Sequence, residues 1–85
     1  DTFEYTVTIP LMPKVPRLTP RQIIQVLQKK GFVLDRSKGS HYIFVHPDTG
    51  RRAVVPMHQK DLPIGTQLSI LKQAGIDRNE LDDLL

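Results

Sequence analysis

The first eight patterned residues set apolar against polar in strict alternation: Phe3, Tyr5, Val7 and Ile9 interleave with Thr2, Glu4, Thr6 and Thr8. That period of two predicts a half-buried strand. Prolines at 10, 13 and 16 then remove backbone donors and fix φ, so the stretch up to residue 18 reads as a stiff linker. From Thr19 the period changes. Ile23, Ile24, Val26 and Leu27 form one apolar stripe, and Arg21, Gln25, Gln28 and Lys29 form the wet face of a helix. Thr19 is its N-cap, Pro20 sits at N1, and Gly31 followed by Phe32 predicts a Schellman ending in which Phe32 packs on Leu27.

Three short runs rich in β-branched and aromatic residues follow, over 32–37, 42–45 and 51–56. The turn sequences Ser37-Lys38-Gly39-Ser40 and Pro47-Asp48-Thr49-Gly50 separate them, which predicts an antiparallel meander. In the middle run Ile43 and Val45 occupy one face and Tyr42 and Phe44 the other, so periodicity leaves open which face the helices cover. Ile64, Leu68, Leu71 and Ala74, with Pro63 before them and Gly75-Ile76 after, predict a second helix with the same ending as the first. Asp77 and Glu80 have capping-box spacing and Ile76 and Leu81 staple spacing, so a short third helix closes the chain.

The predicted class is therefore α+β: a segment over 1–18, then a domain over 19–85 in the order α-β-β-β-α with a short terminal helix. Eighty-five residues allow one such domain. The chain holds no cysteine, which excludes disulfide staples, thiolate-ligated zinc and thiol catalysis. No apolar run approaches the ~20 residues of a membrane span, and no signal-peptide pattern opens the chain, so a soluble cytoplasmic protein is expected.

Net charge is only +3, but it is unevenly placed. Residues 1–18 balance; residues 19–60 carry eight bases against two acids, and residues 61–85 two bases against five acids. A segment of net +6 is a plausible phosphate-binding footprint, the plainer reading being a solvated face. Within it stand the three histidines, His41, His46 and His58, the side chains suited to proton transfer near neutrality. Their spacings of 5 and 12 match no metal-binding pattern, and no metal or cofactor is expected. Ser40 and His41 are strand neighbours pointing to opposite faces, which argues against a direct Ser-His pair.

His41 is the most suggestive of the three. It follows Lys38-Gly39-Ser40 where a basic, glycine-containing turn enters the central strand, a setting in which backbone and hydroxyl can approach a phosphate. The competing reading is an ordinary hairpin turn beside a surface histidine. His46, before Pro47, reads as a solvated or capping residue, and His58, beside Lys60, lies in the loop leading to the second helix. Of five aromatics, Phe3 and Tyr5 are in the N-terminal segment and Phe32 ends a helix. Tyr42 and Phe44 are too few for single-strand stacking, so recognition of backbone and shape fits better.

Residues 12–85 resemble the HicA-type toxins, the mRNA interferases of HicA/HicB toxin–antitoxin pairs. The likeness is carried in order by Leu18-Thr19-Pro20, Lys30-Gly31-Phe32, Gly39-Ser40-His41, His46-Pro47, Val55-Pro56 with His58, Gly65-Thr66, Ser69-Ile70-Leu71 and Gln73-Ala74-Gly75-Ile76. The resemblance implies a double-stranded-RNA-binding-like fold with helices on one face of a three-stranded sheet. It also implies an endoribonuclease that cleaves mRNA, with His41 as the catalytic residue and a HicB antitoxin that covers the site. On the resemblance Gly39 and Ser40 would shape the turn, Lys38 would be at most a phosphate contact and His58 would have a supporting role. The basic residues themselves, apart from the resemblance, suggest Arg36, Arg51 and Arg52 as further phosphate contacts and Lys60 as a supporting position. A non-catalytic RNA-binding module and a pure protein-interaction module are the rival readings. The chain departs from the family at its front, where eleven residues precede Met12. They read as an addition from outside the natural chain, as a stretch upstream of its start, or as an extra strand resembling the first strand of HicB antitoxins.

Overall fold

The computed structural model describes residues 17–58 and 60–85. The strand expected over Thr2–Ile9 and the proline linker up to Pro16 lie outside these. The described order is α1 (Pro20–Lys30), β1 (Val33–Lys38), β2 (His41–Val45), β3 (Arg52–Pro56), α2 (Ile64–Ala74) and α3 (Arg78–Leu84), with the strands antiparallel in the order β1-β2-β3. This is the α-β-β-β-α arrangement, with a short third helix, that the capping and turn residues predict.

Local chemistry sets the helix ends. The Thr19 hydroxyl accepts from the Gln22 N–H while the Gln22 side chain accepts from the Thr19 N–H, a closed capping box with Pro20 at N1. Gly31 at φ 106 ends α1, where the Phe32 N–H donates to the Leu27 carbonyl and the Gly31 N–H to that of Gln28. Gly75 at φ 73 ends α2 with the same pair of bonds from Ile76 and Gly75 to Leu71 and Lys72. Both are Schellman endings, and both require a residue at ease in the left-handed region. Asp77 and Glu80 close the box at the start of α3.

The helices settle the question left open by the middle strand. Phe44, 1% exposed, lies opposite the buried Ala53, and half-buried Tyr42 opposite the buried Val55, so this face carries the core. A large ring facing a small side chain lets the helices sit close to the sheet. Ile23, Val26, Leu27, Ile70, Leu71 and Leu81 complete the interior from the helices. The face with His41, Ile43 and Val45 is uncovered, and β1 is exposed along its whole length, with Leu34 50% exposed. An extra residue, Asp35, bulges from β1 between the pairs Leu34–Phe44 and Arg36–Ile43.

The apolar stripe read for α2 requires correction. Leu71 and Ala74 are buried as expected, but Ile64 and Leu68 are 37% and 46% exposed, and the inward face is Gln67, Ile70, Leu71 and Ala74. Gln67 is fully buried because its Oε1 accepts from the Leu18 N–H at 2.8 Å, while the Leu62 N–H donates to the Leu18 carbonyl at 3.0 Å. A buried polar group needs such a partner, and this one holds the buried Leu18 in the core although the pattern ends the linker there. Lys30 and Glu80 pair across α1 and α3. Among the described residues, no helix is long and apolar enough to cross a membrane.

Candidate active site

The β1–β2 connection is a two-residue turn, Gly39-Ser40, flanked by the Lys38–His41 pair. Gly39 has φ 60 with open space around its Cα, the positive angle that a primed hairpin turn demands at its first central position. Alternation from the buried Phe44 places His41 on the open face, and its cross-strand partner Lys38 shares that face. Arg36, paired with Ile43, lies on the same face one step further along.

Sequence proximity does not bring His58 to this turn; strand register does. His41 lies opposite Pro56, the last residue of β3, so the chain leaving β3 passes beside the turn. The Met57 N–H donates to the Ser40 carbonyl at 2.7 Å, and the next residue, His58, shares a 3.2 Å hydrogen bond between its Nδ1 and the Ser40 hydroxyl. The His41 and His58 ring centroids stand 6.2 Å apart at 61°. Ser40 therefore orients His58 rather than its chain neighbour His41, and both rings remain exposed to solvent. Engagement of Nδ1 by Ser40 leaves Nε2 as the outward nitrogen of His58. The exposed Lys60 follows two residues later.

The remaining basic and histidine candidates are placed differently. Arg52 pairs with Val45 at the opposite end of the sheet, four residues from His41. Its Nη1 meets the Asp35 carboxylate at 3.2 Å, and Arg36 Nε meets the same oxygen at 3.3 Å. These hydrogen bonds, Arg52 first and then Arg36, hold the Asp35 carboxyl below its ordinary pKa. Arg51 donates to the Gln73 carbonyl at 3.2 Å and lies against Gly75, where a Cβ would stand 3.1 Å from the guanidinium. It caps the last turn of α2.

His46 is likewise a structural residue. Its Nδ1 accepts from the Asp48 N–H at 3.2 Å, its backbone closes the β2–β3 turn through Arg51 and Gly50, and its ring meets Phe32 edge-on at 5.2 Å. This is the capping role its place before Pro47 suggests. Among the described residues, no three His, Asp or Glu side chains gather into a group able to hold a metal ion.

The geometry thus isolates Ser40, His41 and His58, with Lys38 beside them, at one end of the sheet. A search among curated proteins returns no match. The family of HicA toxins of bacterial toxin–antitoxin systems matches residues 20–76, from the first residue of α1 through the second Schellman ending, and so spans every residue of this cluster. The chain belongs to the HicA toxin family and is a toxin of a toxin–antitoxin system.

Proposed function

We propose that this toxin is an endoribonuclease that cleaves mRNA in the cytoplasm by histidine acid–base chemistry without a metal ion. The observation that carries this reading is the pairing of His41 with a second histidine, His58, 6.2 Å away and oriented by Ser40. At that spacing both imidazoles reach the oxygens of one phosphodiester. One ring takes the proton of the ribose 2′-hydroxyl, whose oxygen bonds to the adjacent phosphorus. As the bond from phosphorus to the 5′ oxygen breaks, the other ring, as imidazolium, gives that oxygen its proton. The products are a 2′,3′-cyclic phosphate and a 5′-hydroxyl, so atoms and protons balance with no further reactant.

Lys38, opposite His41 on the same face, meets the non-bridging oxygens, with Arg36 behind it. Arg52, like Arg36, can exchange Asp35 for a phosphate because exposed ion pairs are weak. A HicB-type antitoxin would silence the toxin by covering this end of the sheet. The test is cleavage of a defined RNA in EDTA. The wild-type chain should cleave, leaving cyclic-phosphate ends, and His41→Ala should lose ~10² to 10⁴ in rate, the worth of one positioned proton-transfer group. Binding of RNA without cleavage by the wild type would instead identify a non-catalytic RNA-binding module.

A further inference from the structure

Around the strand end from the histidine pair, on the helix side of the sheet, lies a depression of about 330 Å³ lined by Arg21, Ile24, Gln25, Tyr42 and Met57. It adjoins a second, of about 240 Å³, that shares Arg21 and Met57 and adds Lys60. The first is within the size range of small-ligand sites. Its floor is apolar, with Ile24, Tyr42 and Met57 all half-buried, and its rim is polar, with Arg21 and Gln25 exposed. Among the described residues, no hydrogen bond engages the Tyr42 hydroxyl, the Arg21 guanidinium or the Gln25 amide.

The depression is tied to the candidate active site through the backbone. Tyr42 directly follows His41, and Met57 directly precedes His58 and donates its N–H to the Ser40 carbonyl. Neighbouring strand residues point to opposite faces, so the two sites sit back to back across one strand end.

We infer that this depression is a nucleobase subsite: Tyr42 stacks the base of a nucleotide flanking the cleaved phosphodiester, and Arg21 and Gln25 read its edge. Lys60 meets the next phosphate. An aromatic face, a thioether and an apolar floor suit a flat π-system, and a guanidinium and an amide are the donors that base edges accept from. One ring cannot form the multi-base platform of a stacking sheet, since Phe44 is buried in the core. It can hold one base, and so confers a preference at one position on an enzyme whose other contacts are to the backbone. This inference rests on the ribonuclease reading of the histidine pair.

The experiment measures affinity for a short single-stranded RNA and for versions made abasic at each position in turn. It uses the full chain carrying His41→Ala to prevent cleavage. One abasic position should weaken binding about 5- to 150-fold, the range of a single base–aromatic stack. Adding Tyr42→Leu should remove the penalty at that position and no other, and Arg21→Gln, an exposed substitution that leaves the core untouched, should reduce it. In the His41-containing chain, Arg21→Gln should relax the base preference at one side of the cleavage site. Equal losses at every abasic position, with or without Tyr42→Leu and Arg21→Gln, would overturn the subsite while leaving the ribonuclease reading intact. Absence of RNA binding by the wild-type chain would overturn both.

Discussion

The two ends of the three-stranded sheet carry the same residue types in opposite settings. At one end His41 and His58 face solvent with Lys38 beside them and, among the described residues, their ring nitrogens are engaged only by Ser40, on His58. At the other end His46 is packed on Phe32 and closes a turn, Arg51 caps α2, and Arg52 shares Asp35 with Arg36. Charge in a sequence counts all of these alike. Structure divides them: of the eight bases in residues 19–60, Lys30, Arg36, Arg51 and Arg52 already have partners. The basic segment is therefore less free than its +6 suggests, while among the described residues no ion pair or hydrogen bond engages the side chains of Lys38 and Lys60 at the histidine end.

Substitutions that treat the two ends alike should sharpen this contrast. The largest effect is expected at the His41–His58 end. His58→Ala should lower the RNA cleavage rate by ~10² to 10⁴ with an unchanged melting temperature. Ser40→Ala, which removes only the orienting bond, should lose less; a larger loss than His58→Ala would break the proposed hierarchy.

Glycine replacements make the second comparison. Gly31→Ala forces a left-handed residue, costing ~1–2 kcal/mol, and its Cβ would stand 2.9 Å from His46 Nε2, so the ring must move as well. Gly39→Ala has the same backbone cost with nothing within 4 Å, so it should unfold at a higher temperature than Gly31→Ala. Equal melting temperatures would show that His46 does not pack as described.

Third, Lys38→Ala should reduce the slope of log affinity for RNA against log salt by about 1. Arg51→Ala should leave that slope and lower stability by ~0.5–1 kcal/mol through the lost α2 cap.

The smallest effect concerns Asp35. Its carboxyl is held below the ordinary value in the folded state by Arg52 and Arg36, so the stability it contributes is present above about pH 4 and lost as pH falls through the folded pKa. Asp35→Asn should therefore show a shallower fall in melting temperature on acidification. At neutral pH it should bind RNA slightly more tightly, because Arg36 and Arg52 are released to phosphate.

Much of the fold is legible in local sequence because local bonds define it. Thr19-Pro20, Gly31-Phe32, Gly75-Ile76 and the Asp77–Glu80 pair each satisfy backbone groups within a few residues, and each stands where the pattern puts it. What escapes the pattern depends on distant partners. Gln67 is buried and Leu68 exposed because a backbone N–H 49 residues earlier needs an acceptor. The covered face of β2 depends on which side admits Phe44 opposite Ala53. At the site, His41 is visible from its Gly-Ser turn, whereas the Ser40–His58 bond follows from the register of β2 on β3, and the commitments of Arg51 and Arg52 from Gln73 and Asp35. The register is itself inferable in part, since the short turns constrain which residues face one another.

On the proposed reading His41 is catalytic, whereas His46, at the other end of the sheet, is structural. Its most direct test is a paired measurement on His41→Ala and His46→Ala: thermal unfolding, and RNA cleavage in EDTA normalised to folded protein. His41→Ala should melt with the wild type and not cleave, while His46→Ala should melt at a lower temperature and cleave at the wild-type rate per folded molecule. Wild-type cleavage by His41→Ala, or loss of cleavage by folded His46→Ala, would contradict it.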